Sequence, residues 1–392
     1  MTEHPVYLDY QASTPADPRV VDSMLPFLTG IYGNPSSPHA LGRQAATALE
    51  KARGQIRDLI GARYDSEIVF TSGAIEADHL AIAGIAAALR GRGGNHIVTT
   101  AIEHKAVLAI CEHLSREGCR ITRIPVNSDG TADPSDIAAA ITRDTMLVSV
   151  MHANNEIGTI QPLAQISAIA RERGVLLHTD AAQSLGTLPL DVDSLGADLA
   201  SFSAHKIYGP KGIGALYIRH GTHRPTPQLL GGGQEFGMRA GTPNVAGIVG
   251  FGTAAAIVRN EREAEAHRIR KLRDELLTQL KTTLPQASIN GALTPRLPGN
   301  ISITIPGIDA DQLVSEMHGL AISTGSACGT GESNPSHVLI AIGLPRPDAR
   351  ATLRISVGRP TTIDQINRAA EQLIEAVTWH LGREREPLPT VM

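Results

Sequence analysis

Residues 199–219 read LASFSAHKIYGPKGIGALYIR. A short apolar run, LASFSA, stops just before Lys206, a Gly/Pro-rich turn follows, and GALYIR opens a second run. A strand that ends so abruptly delivers its last side chains into a crevice, the place where open α/β sheets bind ligands. Working outward, further short apolar runs lie at 67–72 (EIVFTS), 96–101 (HIVTTA), 146–151 (MLVSVM) and 175–180 (VLLHTD), with helical patterns between them such as 38–60 and 76–90. This alternation predicts an α/β fold with a large, doubly wound, mostly parallel sheet buried on both faces. Residues 255–284 read as one long charged helix whose Ile269, Leu272, Leu276, Leu277 and Leu280 form an apolar stripe. Beyond it, strand patterns at 300–305, 320–324 and 352–357 and a helix at 361–381 predict a small α+β C-terminal domain, completed by the N-terminal segment. The expected division is 17–255 for the large domain, and 1–16 with 256–392 for the small one.

Composition excludes several classes. The chain has 392 residues, 42% of them apolar, with 35 Lys plus Arg against 39 Asp plus Glu. It is long enough to bury about three quarters of its unfolded surface, and it has no basic excess to neutralise a phosphate backbone, so no direct nucleic-acid binding is expected. Three cysteines, Cys111, Cys119 and Cys328, form no CxxC pair, which argues against a disulfide framework or structural zinc and for a reducing, cytoplasmic setting. The start MTEHPVYLDY lacks a basic stretch followed by an apolar run, so neither export nor a membrane span is expected. The Arg/Lys cluster of 255–284 is interleaved with Glu261, Glu263, Glu265, Asp274 and Glu275 and reads as a solvated helix face.

Only six lysines occur, at 51, 105, 206, 211, 271 and 281. Lys51, Lys271 and Lys281 lie on charged helical faces, whereas Lys206 follows a buried-strand pattern. Asp180 ends the strand VLLHTD in the same way. An amine and a carboxylate at two strand ends are what a pyridoxal phosphate site needs: one holds the aldehyde, the other keeps the pyridine nitrogen protonated. A lysine of pKa about 10.4 is almost wholly charged at pH 7, so its environment has to depress that value; His205 and a buried cleft are candidates. The 5′-phosphate calls for a glycine turn at a helix N-terminus, which TSGAIEADHLAI (71–82) supplies after EIVF. Ser203 and His205 would add donors beside the lysine, and His104 of TAIEHKAV, after another strand, reads either as a proton relay over the ring face or as a structural histidine.

With these, YLDYQASTP, YGNPSSPHALG, TSGAIEADHLAI, EHKAVL, HANNEIGT, HTDAAQS, SFSAHKIYGPKGIGALY, GGGQEFGMRAGTPN, STGSAC and LRISVGRPTT together resemble the cysteine desulfurases of the NifS/IscS type, class V aminotransferase relatives among the fold-type I pyridoxal-phosphate enzymes. The resemblance runs from residue 6 to about 380. It implies that Lys206 holds the cofactor aldehyde, that Asp180 partners the ring nitrogen, that Gln183 donates to the ring hydroxyl, and that His104 stacks on the ring as acid and base. It further implies that Ala74, Ile75, Ser203 and His205 hold the phosphate, with Thr242 reaching in from a second subunit of a homodimer, and that Asn34, Asn155 and Arg354 line the substrate site. A guanidinium suits an α-carboxylate because it bonds both oxygens at once.

Cys328 lies in STGSACGTGESNPSHVL, where Gly325, Gly329, Gly331, Ser333 and Asn334 predict a loop, 324–335, rather than ordered core. A free thiol of pKa about 8.5 is only about 3% thiolate at pH 7, so a reactive cysteine needs positive charge nearby. Cys111 and Cys119, by contrast, read as small buried hydrophobes. The resemblance implies that L-cysteine is converted to L-alanine while the Cys328 thiolate takes the sulfur as a persulfide. The sulfur then passes to an acceptor protein in iron–sulfur cluster assembly, tRNA thiolation or DNA phosphorothioation. Three positions depart from the family pattern: Ile75 stands for a threonine, Phe236 for an arginine and His79 for an asparagine. The alternatives are a class V aminotransferase or selenocysteine lyase sharing Lys206 and Asp180, and a non-enzymatic sulfur-carrier scaffold, which predicts no alanine release. Cys328 discriminates against the transaminase, which has no use for a thiol on a glycine-rich loop.

Overall fold

The computed structural model describes residues 5–324 and 335–383. Its strands are β1 (Val6–Tyr7), β2 (Ile68–Thr71), β3 (His96–Thr100), β4 (Arg120–Ile124), β5 (Thr145–Ser149), β6 (Leu176–Asp180), β7 (Leu199–Ser203), β8 (Gly214–Ile218), β9 (Ser288–Ile289), β10 (Asn300–Thr304), β11 (Leu320–Ala321), β12 (Ser323–Thr324) and β13 (Thr352–Ser356). Seven of them form one sheet in the order β2-β8-β7-β6-β5-β3-β4. The pairs from β7 through β4 are parallel, while β8 runs antiparallel to both β7 and β2. The α/β fold with a mostly parallel large sheet is therefore as expected. β2, β3, β5, β7 and β8 are buried along their whole length, and the exposed edge β4 turns Arg120 and Arg123 to solvent, charges that discourage pairing with another chain.

The helix Ala74–Leu89 is apolar nearly all round and buries Leu80, Ala81, Ile82, Ala83, Ile85 and Ala86, as a helix clamped between a sheet and other helices must. The long helix begins ten residues before the predicted start, at Val245, and ends at Thr283. Its first turns are rich in glycine, which hides the helical pattern, and packing explains the glycines. A Cβ on Gly252 would lie 2.5 Å from Ala52 Cα, and one on Gly250 would lie 2.6 Å from Met24 Sδ, so bare backbone is what lets the helices Pro18–Thr29 and Ala40–Ile60 approach. Along this helix Ile248, Phe251, Ala254 and Val258 join the core under the large sheet, whereas Ile269, Leu272, Leu276 and Leu280 join that of the small one.

The small sheet, β12-β13-β10-β9, is antiparallel. The predicted strand 320–324 is in fact two: β11 pairs in parallel with β1, and β12 pairs with β13. Ile322, buried between them, is where the chain changes sheets. The last helix starts at Ile363, because Thr362 and Gln365 exchange side-chain-to-backbone hydrogen bonds of 3.1 and 3.2 Å, a capping box that fixes its first turn. Among the described residues no helix is long and apolar enough to cross a membrane.

Candidate active site

β6 and β7 end side by side, with Asp180 in register with Ser201. Lys206 follows β7 through the single turn Ala204–Lys206. The turn is closed by Gly209 N–H donating to Ala204 O at 2.9 Å. A Cβ on Gly209 would sit 2.8 Å from that same oxygen, so the glycine is required for the turn that presents the lysine. The Lys206 ammonium donates to the backbone carbonyl of Gln11 and, at 2.9 Å, to that of Ala12. Gln183 Nε2 reaches the same Gln11 carbonyl at 3.0 Å. Lys206 and Gln183 therefore converge on one stretch of the N-terminal segment.

Asp180 is buried, and its Oδ1 accepts the Ala182 N–H at 2.9 Å. Burial pushes its carboxyl up, and His104 and Lys206 pull it back toward the anion. His104 caps the helix Lys105–Arg116, its Nδ1 accepting the Ala106 N–H at 3.2 Å. Burial lowers its value, and Asp180 raises it in part. With Nδ1 an acceptor, the proton of the neutral ring sits on Nε2. Asp180, His104 and Lys206 thus act on one another across the strand ends. His205 is held at about 4, first by burial and then by Lys206 and Lys211, and its Nδ1 lies 3.3 Å from Ser13 Oγ. It is uncharged at pH 7 and contributes no positive charge toward lowering the Lys206 amine.

The helix Ala74–Leu89 begins beside β8: Gly214 packs so tightly that a Cβ there would lie 2.7 Å from Gly73 Cα. Gly73 supplies no side-chain cap, so the first amides at Ala74 and Ile75 lack the usual acceptor, and such an N-terminus offers its donors to an anion. The Ile75 side chain is 60% exposed. Ser203, also at a strand end, is buried. Arg239 binds Glu76 at 2.8 Å, fixing the segment that leads to Thr242, whose side chain is exposed.

Arg354, on β13, is buried but committed: Nη2 binds Asp9 Oδ1 at 2.9 Å and Nη1 reaches Asn155 O at 3.3 Å, while Nε has no partner. Asn155 thus meets Arg354 through its backbone. Asn34 is exposed and its hydrogen bonds are local, to Ser36 N and Ser37 N, each 2.9 Å; it is not brought to the Lys206 cluster by any of them. Cys328, with most of the loop predicted at 324–335, lies outside the described residues. Cys111 and Cys119 are buried free thiols, and burial pushes Cys111 up to about 12, far from a nucleophile. Sequence reasoning missed Asp9, Gln11 and Asn300, whose Nδ2 donates to Gln11 Oε1 at 2.7 Å. They meet across some three hundred residues of chain; Asp9 and Gln11 fall within YLDYQASTP, which by itself gives them no role, and no local pattern marks Asn300.

The donor set fits pyridoxal 5′-phosphate: an amine and a buried carboxylate at the adjoining ends of β7 and β6, a neutral imidazole beyond the end of β3 in the same sheet, and an uncapped helix N-terminus following β2. Residues 6–369 match the family model described as aminotransferase class-V. A protein named cysteine desulfurase IscS from Dictyoglomus turgidum (strain DSM 6724 / Z-1310) is 45% identical over 370 residues, 94% of this chain and 93% of that one. Among solved structures, a NifS-like protein superposes with a TM-score of 0.90 at 37% identity, over 96% of this chain and 100% of its own. Another, described as SspA in complex with cysteine, has a TM-score of 0.80 at 38% identity, over 90% of this chain and 98% of its own.

Proposed function

The chain belongs to the class V aminotransferase family, among its cysteine desulfurases, and from that premise we propose how its own residues perform the reaction. The observation that carries the reading is that Asp180 and Lys206 emerge at the ends of the adjacent strands β6 and β7, with Lys206 and Gln183 converging on the Gln11 carbonyl. Lys206 is the amine that holds the cofactor and later moves a proton at the substrate's Cα. Asp180 is the anion for the ring nitrogen, and Gln183 the donor for the ring hydroxyl. His104, neutral and protonated on Nε2, would lie over the ring face as the acid and base of the site. Ala74, Ile75, Ser203 and His205 bind the phosphate, joined by Thr242 of a second subunit in a homodimer. Bound there, pyridoxal 5′-phosphate supplies the electron withdrawal that activates the substrate's Cα.

Arg354 takes the α-carboxylate of L-cysteine, with Asn155 beside it; the exposed Asn34 would line the same substrate site from its own loop. Its unpaired Nε is the donor that the Asp9 pair leaves over. The Cys328 thiolate attacks the substrate sulfur, the C–S electron pair stays with the carbon skeleton that leaves as L-alanine, and the persulfide on Cys328 passes to an acceptor protein. The odd number of cysteines, two of them buried and unpaired, supports a cytoplasmic setting. The test is formation of alanine and persulfide from L-cysteine by the purified chain loaded with pyridoxal phosphate. Lys206→Ala is expected to abolish alanine. Cys328→Ser is expected to abolish sulfide while the yellow absorbance of bound cofactor remains. Unimpaired sulfide release by Cys328→Ser removes that thiol from the mechanism, and a protein that takes up no pyridoxal phosphate refutes the reading as a whole.

A further inference from the structure

The helix Ala74–Leu89 turns one ionisable side chain toward the sheet. Asp78 is 1% exposed, and neither carboxyl oxygen accepts a hydrogen bond of ordinary geometry. It faces the layer of side chains directly beneath Asp180. His178 lies two residues before Asp180 on the same face of β6, with Nδ1 2.9 Å from Ser149 Oγ and Nε2 3.0 Å from Ser201 Oγ. Asp78 Oδ1 is 3.5 Å from His178 Nε2, and the Ser201 hydroxyl lies against the carboxyl. His178 is held near 3 by burial, so it brings no positive charge. Two other carboxyl groups act on Asp78: Asp180 and Glu103.

Counting donors decides which of the three ionises. Asp180 accepts the Ala182 N–H and has Lys206 and His104 nearby. Glu103 accepts from Thr100 Oγ1 at 2.6 Å and from Met151 N at 3.0 Å. Asp78 has only the Ser201 hydroxyl and the uncharged His178 against it and no cation, and a buried carboxylate in that position is far costlier than the neutral acid. We propose that Asp78 and Asp180 share one proton and that it resides on Asp78, so that Asp180 alone carries the negative charge facing the cofactor nitrogen. Asp78 is then a positioning residue that fixes the charge state of Asp180 without touching the cofactor. This inference rests on the role given to Asp180 above.

Infrared spectra of the full chain stripped of cofactor test it independently of turnover. In a Glu103→Gln background, which removes the other buried acid of this cluster, a carboxylic-acid C=O band is expected at pH 8. It should vanish on adding Asp78→Asn and survive on adding Asp180→Asn. Absence of the band from Glu103→Gln, or its loss with Asp180→Asn instead, overturns the proposal, and these two outcomes remain readable even if the Asp78 variant fails to fold. In the loaded protein, Asp78→Asn replaces a neutral acid by a neutral amide, so the pH midpoint of the cofactor's visible absorbance should stay within about 0.3 unit. Removing a true buried anion would move it by on the order of one unit, and that shift also overturns the proposal. Missing desulfurase activity with an intact infrared result would refute the reaction while leaving the proton on Asp78.

Discussion

Glu235→Ala is expected to be among the most damaging single changes outside the site, because of what it strands. Glu235 and Arg53 are both buried and joined twice, Nη1 to Oε2 at 2.8 Å and Nη2 to Oε1 at 2.9 Å. Glu235 Oε2 also accepts the Phe70 N–H at 2.8 Å, and Arg53 Nη1 donates to Ile68 O at 2.6 Å. The pair therefore ties the start of β2 to the turn Glu235–Gly237, where Phe236 holds a left-handed φ of 57° under the Arg53 guanidinium, 5.0 Å from its ring centre. Removing Glu235 leaves Arg53 no carboxylate but the largely exposed Glu50, 3.2 Å from its Nε, and breaking a buried pair in this way costs about 3–5 kcal/mol. For a cooperative unit of roughly 240 residues that corresponds to a fall in Tm of about 6–10 °C. Replacing both, as Arg53→Met with Glu235→Leu, should recover most of the loss, because desolvating the two charges had offset much of their attraction. Calorimetry of the wild type, both single variants and the double variant completes the cycle. A double variant as unstable as the sum of the singles would refute the argument.

Gly252→Val should destabilise by roughly 1–3 kcal/mol, read as a lower Tm, because its Cβ would come within 2.5 Å of Ala52 Cα; an unchanged Tm would mean that the two helices have room to part. Glu103 has its value pushed from 4.5 to about 8 by burial, so between those pH values the folded state holds a proton that the unfolded state has lost. Stability should fall as pH rises through that window, by on the order of a few kcal/mol, and Glu103→Gln should flatten the fall in urea titrations at successive pH values. Ile75→Thr places a hydroxyl at the uncapped helix start, on a side chain already exposed. Pyridoxal phosphate should then bind about fivefold tighter, the worth of one hydrogen bond of about 1 kcal/mol, as measured by equilibrium dialysis.

The large sheet was legible because β2, β3, β5, β6, β7 and β8 each present a compact apolar run between turn residues, a pattern that follows from burial on both faces. Lys206 and Asp180 were legible for a related reason, since polar residues that end such runs have to emerge at the strand ends. The start of the long helix was not: Gly247, Gly250 and Gly252 answer to helices that lie elsewhere in the chain, and glycine weakens a local helical pattern. Nor did the run 320–324 reveal that its two halves pair with different strands, a decision made by β1 and β13. The Asp9–Arg354 pair and the bonds from Lys206 and Gln183 to Gln11 depend on the N-terminal segment lying across the end of the large sheet, which only the folded chain determines.

That segment also imposes an order of events. Its strand Val6–Tyr7 emerges from the ribosome well ahead of its pairing partner Leu320–Ala321 and of Arg354, the arginine bound to Asp9. The carbonyls of Gln11 and Ala12 that receive the Lys206 ammonium therefore reach their final positions only after the chain as far as Arg354 has emerged. A nascent chain can build its central sheet co-translationally, but the N-terminal segment stays unanchored across the end of that sheet until β11 and β13 have followed.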